Sequence, residues 1–361
     1  MCECFLTSDS GGPAREWRQW LDVATRSVSR DIVVVGASAG GLEPLRRLVA
    51  HLPADLPAAV FIVLHIAATG RSVLPGILSR AGPLPAAHAK HGETIQHGRI
   101  YVAPPDQHLL LHDGHVEVIR GPKENGHRPA IDPLFHSAAE HFGPRVTGVV
   151  LSGALDDGAA GLRRIRQAGG AGIVQDPGDA MYDSMPKAAI ANAEPDDILD
   201  SAKLGDAVTR LARRTTEEEA MSAASANSGS NGDEAGAETG EDPRPGLRSA
   251  YACPDCGGGL WEVEDGGLLR FECRVGHAFS EASMLERQND AVETALWTSV
   301  RIIEERVAYS RRLSERLAAR GSSASAGTFA RQADEAESCA RQLKHLLQTI
   351  RLAATPAAVA D

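Results

Sequence analysis

The stretch DIVVVGASAGGL, residues 31–42, decides the fold because a β-branched run meets a glycine-rich turn and then a helical pattern. Residues 32–35 are typical of a buried parallel strand, and apolar residues recur at helical spacing over residues 42–52. The turn at residues 36–40 matches G-x-S-x-G in its strand-turn-helix context. Ser38 is therefore a candidate nucleophile, since small neighbours permit a sharp turn and amides at a helix start can stabilise an oxyanion.

Two other interpretations of this turn stay open on the motif alone. The small residues can serve only to pack a strand against a helix. The second alternative is a dinucleotide-binding fingerprint, but G-x-G-x-x-G requires glycine where Ser38 stands, and the next strand ends in a histidine instead of an acidic residue.

Two later strands bring further polar groups to the same edge of the predicted sheet. The apolar run at residues 59–64 ends at His65, and a third apolar run is followed by Asp156 and Asp157. Open α/β sheets bind ligands at the carboxyl ends of their parallel strands. Taken singly, a strand-end histidine and an aspartate before a turn glycine are ordinary features. Together they indicate a Ser-His-Asp triad, in which Ser38 attacks, the imidazole takes its proton and one of the two carboxylates orients the imidazole.

Six segments resemble the catalytic domain of CheB, the chemotaxis protein-glutamate methylesterase. They are GASAGG (36–41), LHI (64–66), RIYVAPPDQHLLL (99–111), HRPAIDPLF (127–135), SGALDDGAAGL (152–162) and MYDSMPKAAI (181–190). The resemblance implies an α/β fold with a doubly wound, mostly parallel sheet. It also implies that Ser38 is the nucleophile, His65 the base and Asp157 the orienting acid, with no cofactor for catalysis.

The same resemblance implies hydrolysis of γ-glutamyl methyl esters on methylated chemoreceptors or similar helical signalling proteins, and it leaves deamidation of glutamines open. The three triad residues occur along the chain in the order Ser, His, Asp, whereas α/β-hydrolases have the order Ser, Asp, His, which argues against an ordinary esterase or lipase. Three departures favour an alternative, a non-catalytic regulatory or scaffold protein that binds through the esterase fold and assembles through its C-terminal module. Only thirty residues precede the first strand, where the family usually has a receiver domain, and Ala39 and Ala154-Leu155 replace a threonine and a Met-Gly pair.

Composition argues against several classes of partner. The chain has 361 residues and a formal net charge of −11, so it lacks the basic footprint of a nucleic-acid-binding protein. Apolar runs do not reach the roughly 18 residues of a membrane span, which predicts no direct membrane insertion. The first residues lack a basic leader followed by an apolar core, so we expect a cytoplasmic protein.

A β-hairpin is predicted within residues 98–122. The segment contains three apolar runs, at residues 99–102, 108–112 and 115–119, and Asp113-Gly114 between the last two is a strong signal for a tight turn. His108 and His127 fall in stretches that the family keeps near the active-site face, although a surface role suits each of them equally well.

Four metal-ligand residues occur in two pairs near the C-terminal end. Cys253-x-x-Cys256 and Cys273-x-x-x-His277 suit a tetrahedral zinc ion that closes a small segment lacking a core of its own. Disulfides are an alternative that a reducing compartment disfavours. A redox Cys-x-x-Cys motif is disfavoured because a second ligand pair follows and no βαβ pattern surrounds it.

Two amphipathic helices follow, with Ser280 as a predicted N-cap and a break at residues 321–327. A self-contained hairpin, a homo-oligomer formed through these helices and docking to a helical partner are the alternatives. Before this module, residues 215–246 are rich in Ala, Ser, Gly and Glu, and we expect this linker to leave the folded parts on either side independent.

The predicted organisation therefore has five parts. They are an N-terminal extension with a short helix (1–30), the CheB-like methylesterase domain (31–211), a disordered acidic linker (212–250), a zinc-ribbon-like knuckle (251–280) and a two-helix hairpin (281–353).

Overall fold

A computed structural model of the chain describes residues 29–66, 72–213 and 246–354, without the side chains of residues 350–354. The described residues form two compact units. The first contains those up to Cys253 together with Gly258–Ser283, and the second contains Pro254–Gly257 and those from Met284 onward. The predicted N-terminal helix and most of the predicted linker lie outside the described residues.

The first unit is built on a seven-stranded parallel sheet. The strands of this region are β1 Ile32–Ala37, β2 Ala59–Leu64, β3 Ala86–His88, β4 Ile100–Val102, β5 His108–His112, β6 His115–Ile119, β7 Val146–Val150, β8 Ala171–Gln175 and β9 Asp197–Leu199. The order across the sheet is β3-β4-β2-β1-β7-β8-β9, so β1 lies between β2 and β7. Every residue of β1 is buried, as expected for a central parallel strand.

Helices cover both faces of this sheet. They are α1 Leu42–Ala50, α2 Leu74–Ala81, α3 Ile131–Phe142, α4 Ala159–Gln167, α5 Ser184–Ala193 and α6 Leu204–Arg213. Because side chains alternate along a strand, Val33 and Val35 of β1 pack in one apolar cluster with α1, α2 and α6, whereas Val34 packs in a second cluster with α3, α4 and α5. The predicted doubly wound α/β fold is confirmed.

The predicted hairpin is formed by β5 and β6, which pair antiparallel around Asp113-Gly114. Gly114 has φ +77°, a left-handed conformation that glycine adopts without steric cost. The prediction is wrong for the first run of residues 98–122, since Ile100–Val102 pairs in parallel with β2 and β3. Its three residues are buried, which suits the interior of the main sheet better than a hairpin.

The knuckle adds a four-stranded antiparallel sheet. Its strands are β10 Leu247–Ala252, β11 Gly259–Asp265, β12 Leu268–Cys273 and β13 Ala278–Ser280, with β11 and β12 as the predicted hairpin. The expectation that the knuckle is independent of the methylesterase domain is wrong. Arg270 of β12 forms a 2.8 Å ion pair with Glu124, and Ala278 pairs in parallel with the same residue.

Two long helices, α7 Glu281–Ala319 and α8 Ser323–Ala354, make up most of the second unit. The break between them is shorter than predicted, since Gly327 lies within α8 and only Gly321 takes a left-handed φ, of +79°. Glycine costs about 1 kcal/mol in a helix, and the packing of buried Ala326 and Ala333 on either side outweighs that preference. Among the residues described, no helix combines the length and the apolar character needed to cross a membrane.

Candidate active site

The ends of three neighbouring strands form the candidate site. Strand β1 pairs in parallel with β2 on one side and with β7 on the other. Ser38 directly follows β1, His65 directly follows β2, and Asp157 lies in the loop after β7. The strand order reverses between β1 and β7, because the chain continues from β1 to β2 on one side and from β7 to β8 on the other. Open α/β folds place their ligand sites at such a switch point.

A continuous hydrogen-bond chain joins the three predicted residues. The Ser38 hydroxyl lies 3.0 Å from His65 Nδ1, and His65 Nε2 lies 2.7 Å from Asp157 Oδ2. When Nε2 donates its proton to the carboxylate, Nδ1 is left as the acceptor for the serine proton. The His65 side chain is 6% exposed, so this imidazole lies largely outside bulk water. The arrangement has the geometry of a nucleophile, a base and an orienting acid.

Further donors surround the Asp157 carboxylate. Its Oδ2 also accepts the Ile131 amide at 2.7 Å, and its Oδ1 accepts the Asp132 amide at 3.2 Å and Asn125 Nδ2 at 2.9 Å. Burial acts to raise the pKa of Asp157, but the hydrogen bond and charge of His65 and the Ile131 amide outweigh it and hold the pKa well below the usual range. Asp157 is therefore ionised at neutral pH, where it stabilises a histidinium ion.

Asp156, the other aspartate left open by the sequence, has a different set of contacts. Its Oδ1 accepts the Ser280 hydroxyl at 2.7 Å and the Ser283 hydroxyl at 3.2 Å. Burial raises the pKa of Asp156 above its ordinary value. Ser280 also accepts the Ser283 amide at 3.1 Å, which confirms its predicted role as the N-cap of α7. Asp157 is thus the aspartate that contacts His65.

Hydrogen bonds to Ser152 hold the turn that carries Ser38. The Ser38 amide donates to the Ser152 carbonyl at 3.0 Å, and the Ser152 hydroxyl donates to the Ala39 carbonyl at 2.9 Å. Gly40 has φ +70°, and a Cβ atom there would lie 2.8 Å from Cβ of Met181. Both observations explain why small residues follow Ser38, since the chain turns sharply beneath a neighbouring loop.

Two histidines from the resembling segments differ in their positions. The His127 ring stacks on the His65 ring with 3.8 Å between centroids and 13° between planes. His108 is buried, with Nε2 donating to the Pro122 carbonyl at 2.7 Å and Nδ1 accepting the Ala130 amide at 3.3 Å. His127 therefore belongs to the site, whereas His108 supports the backbone beside it.

Two polar residues near the triad were not predicted from the sequence. Asn125 Nδ2 donates to Asp132 Oδ2 at 3.1 Å as well as to Asp157, and Asp132 Oδ1 accepts the amides of Gly158 and Gly161 near the start of α4. Burial and the charge of Asp157 raise the pKa of Asp132. Asp132 lies within HRPAIDPLF, but the only local signal at Asn125 is its position before a glycine, which is typical of a left-handed turn.

A cleft of about 330 Å³ opens beside the nucleophile. It is lined by Ser38, Gly40, Leu42, Glu43, Arg46, Leu64, His65 and Met181. Met181 is 78% exposed and Leu42 is 38% exposed, so apolar surface borders the hydroxyl. Exposed apolar side chains and the triad hydroxyl therefore face the same cleft.

The four predicted metal ligands come together in the structure. The ligand atoms of Cys253, Cys256, Cys273 and His277 all lie within 4.8 Å of one another. His277 Nδ1 is 3.7 Å from Cys253 Sγ and 3.4 Å from Cys273 Sγ. Tetrahedral zinc, with Zn–S of about 2.3 Å and Zn–N of about 2.0 Å, separates such atoms by about 3.6 Å. The group therefore fits a metal ion.

Fold and site together define an α/β protein whose serine, histidine and aspartate are arranged as in serine hydrolases. The profile described as CheB methylesterase matches residues 33–208. A relative from Anaeromyxobacter dehalogenans, named protein-glutamate methylesterase/protein-glutamine glutaminase 2, is 36% identical over 200 residues, which are 55% of this chain and 59% of the relative. A relative from Leptospira interrogans is 35% identical over 189 residues, which are 52% of this chain and 98% of the relative. The chain belongs to the CheB methylesterase family.

The predicted enzyme class agrees with these comparisons. Relatives from Rhodospirillum rubrum and Geobacter metallireducens are also named protein-glutamate methylesterase/protein-glutamine glutaminase, and the matched region spans 53% of each. The crystal structure of the Thermotoga maritima CheB methylesterase catalytic domain is 30% identical, with a TM-score of 0.48 over 50% of this chain and 98% of that chain. This chain spans between 53% and 59% of the length of the relatives from A. dehalogenans, R. rubrum and G. metallireducens.

Proposed function

We propose that the protein is a serine hydrolase that removes methyl groups from γ-glutamyl methyl esters of a methylated chemoreceptor or a similar helical signalling protein. The observation that carries this proposal is the hydrogen-bond chain from Ser38 through His65 to Asp157 at three adjacent strand ends. Membership of a methylesterase family supplies the class of substrate.

In the first half of the reaction, Ser38 Oγ attacks the ester carbonyl carbon while its proton moves to His65 Nδ1. Ionised Asp157 stabilises the histidinium ion through the 2.7 Å bond to Nε2. Collapse of the tetrahedral intermediate breaks the bond from carbon to methoxy oxygen, and the proton on Nδ1 leaves with methanol. A glutamyl ester of Ser38 remains.

In the second half, water attacks the glutamyl ester and gives its proton to His65. The bond to Ser38 Oγ then breaks, Nδ1 returns the proton to the serine, and a glutamate carboxyl group is released. The net reaction is ester plus water to acid plus methanol. A glutamine side chain enters the same sequence with ammonia as the leaving group, which makes deamidation a second activity of the proposed site.

The cleft suits an uncharged side chain with an aliphatic stem. Leu42 and Met181 flank the nucleophile with exposed apolar area, and Glu43 and Arg46 lie beside them and pair with each other at 2.7 Å. A γ-glutamyl methyl ester carries no charge at its end, so apolar contacts are the fitting partners for its methyl group and stem.

Methanol release from a methylated chemoreceptor fragment tests this proposal. The full chain should release methanol, and Ser38→Ala should release less than about one-thousandth as much. Ser322→Ala, at an exposed position between α7 and α8, should match the wild type. Ammonia release from the unmodified glutamine form measures deamidation in parallel. A Ser38→Ala variant as active as the wild type would exclude the proposed nucleophile.

We also infer that the Cys3His group holds structural zinc. The 3.4 Å and 3.7 Å separations of His277 Nδ1 from two sulfurs support a closed tetrahedral set. Four protein ligands leave no position for substrate, so the ion would stabilise the small knuckle fold and would not contact the reacting groups.

A further inference from the structure

The knuckle touches the loop that supports the triad acid. Strand Ala278–Ser280 runs beside residues 123–125, where the Ala278 amide donates to the Lys123 carbonyl at 3.3 Å and the Asn125 amide donates to the Ala278 carbonyl at 2.8 Å. These contacts are backbone hydrogen bonds in the manner of a sheet. Backbone hydrogen bonds from the knuckle therefore hold the loop at residues 123–125 in place.

The Asn125 side chain extends this contact to the triad. Its Oδ1 accepts the Ser280 amide at 2.9 Å, which leaves Nδ2 to donate to Asp157 at 2.9 Å and Asp132 at 3.1 Å. Only 2% of Asn125 is exposed. Since the Ser280 amide requires an oxygen, the knuckle fixes which end of the Asn125 amide faces the two carboxylates.

Arg270 supplies positive charge at the same place. Its side chain is 5% exposed and lies 2.8 Å from Glu124, 3.3 Å from Asp265 and 3.8 Å from Asp132. Glu124 of the loop is partly exposed and Asp132 of α3 is buried, and a knuckle residue supplies the positive charge that both of them face. An ionised carboxylate as deeply buried as that of Asp132 is costly without a countercharge.

The candidate metal site adjoins this strand directly. His277 precedes Ala278, and the Cys273 amide donates to the His277 carbonyl at 2.9 Å while the His277 amide donates to Cys273 Sγ at 3.3 Å. The turn between these two ligands therefore determines where β13 begins. A metal ion that fixes both side chains would fix the position of the strand that holds Asn125.

We propose that Asn125 is a positioning residue for Asp157 and that the knuckle strand Ala278–Ser280 holds it there, so that metal binding by the Cys3His group orders the esterase site. This inference rests on the proposed function, because it assigns a role in the same reaction. Under this proposal the knuckle supports the esterase site and is not an independent module.

The first test removes the Asn125 amide from the full chain. Asn125 has φ +51°, so Asn125→Gly keeps the left-handed backbone and deletes only the side chain. We expect kcat for methyl-ester hydrolysis to fall about 10- to 100-fold with KM changed less than about twofold, since small misplacements of reacting groups have effects of this size. Lys123→Ala, which retains the backbone contact to Ala278, should behave as the wild type.

The second test removes the metal. The probes are zinc ion and a chelator, and the variants are Cys256→Ser and, as a matched control outside the ligand group, Cys339→Ser. We expect chelated protein and Cys256→Ser to react about tenfold or more slowly at Ser38 with a fluorophosphonate. Amides of residues 123–132 should exchange hydrogen faster. Zinc should restore the chelated wild type, and Cys339→Ser should be unaffected.

The outcomes separate the two proposals. Metal-free protein that labels Ser38 and exchanges residues 123–132 at the wild-type rates would overturn the role of the knuckle, as would Asn125→Gly with unchanged kcat. Wild-type zinc-loaded protein that neither hydrolyses methyl esters nor labels Ser38 would overturn the proposed function itself. Circular dichroism of each variant shows whether the remaining fold is intact.

Discussion

At the residue scale, two adjacent aspartates acquire different properties from their partners. Asp157 is surrounded by donors from His65, Asn125 and the amides of Ile131 and Asp132, whereas Asp156 accepts two serine hydroxyls. The sequence places both aspartates directly before Gly158, and the triad pattern predicts that one of them orients the His65 imidazole. Which side chain turns toward His65 depends on the loop path, which local patterns do not encode.

The two aspartates should therefore differ in activity when each is changed to asparagine. Asp157→Asn places an amide group among donors and loses the charge that stabilises the histidinium ion, so kcat should fall by about 10³ to 10⁴. Asp156→Asn keeps an acceptor for Ser280 and should lower kcat less than about tenfold. Steady-state kinetics on one methyl ester compares them. Equal losses would contradict the assignment.

The same pair should give opposite dependences of stability on pH. The folded pKa of Asp157 lies below its unfolded value of about 3.9, so its stabilisation is present above that pH and is lost as pH falls through the folded pKa. The folded pKa of Asp156 is raised by burial, so its favourable contribution is present below about pH 3.9 and is lost as pH rises through the folded pKa.

Denaturant unfolding of the wild type and both variants between about pH 2 and pH 7 measures this difference, because the range extends well to either side of the reference pKa of about 3.9. Asp157→Asn should be less stable than the wild type by about 1–3 kcal/mol at pH 7, and the gap should narrow in acid. The free energy of unfolding of Asp156→Asn should increase relative to that of the wild type as pH rises. Parallel curves for the two variants would contradict the opposite pKa directions.

At the element scale, the strand-turn-helix at residues 32–50 is the part most fully predicted from the sequence. Its β-branched run, small-residue turn and amphipathic helix all indicate the same structure. The positions of His65 and Asp157 are predicted in a similar way, because each follows an apolar run typical of a parallel strand. The prediction fails at β4, whose three residues are too few to show a period. It fails again at Gly327, where packing within the second unit overrides helix propensity.

The crossing of β1 and α3 gives an element-scale prediction. A Cβ atom on Gly36 would lie 2.4 Å from Cγ2 of Ile131, whose amide donates to Asp157. Gly36→Ala should therefore lower the free energy of unfolding by about 1–3 kcal/mol and slow labelling of Ser38, because Ile131 must move. Gly76→Ala in α2, where the nearest atom is 3.5 Å away, should raise stability by about 0.5–1 kcal/mol. Thermal unfolding distinguishes them.

At the scale of the whole molecule, composition predicts separate modules, but the structure places most of the knuckle, residues 251–253 and 258–280, in the same compact unit as the methylesterase domain. The contacts responsible, at Asn125, Arg270 and Ala278, join residues about 150 positions apart, and no local pattern announces them. In the second unit, Ile302 and Tyr309 of α7 are 52% and 69% exposed. Oligomer formation through these helices stays a prediction.

Metal content is a prediction for the whole chain. Elemental analysis of protein purified without added metal should find about one zinc per chain, because four closed ligands hold zinc tightly once deprotonated. Cys256→Ser should lower the content to near zero, and Cys339→Ser should leave it unchanged. A wild-type protein without bound metal, or a Cys256→Ser variant with full zinc content, would contradict the ligand assignment.

The most direct measurement of the central claim is the rate at which a fluorophosphonate labels Ser38 at neutral pH in the wild type and in His65→Ala, with the modified residue located by mass spectrometry. An unassisted serine hydroxyl is a weak nucleophile, and His65 Nδ1 lies 3.0 Å from it. The triad predicts labelling at Ser38 in the wild type and a loss of about 10³-fold or more in His65→Ala. Equal labelling of the two proteins, or modification at a different serine, would contradict it.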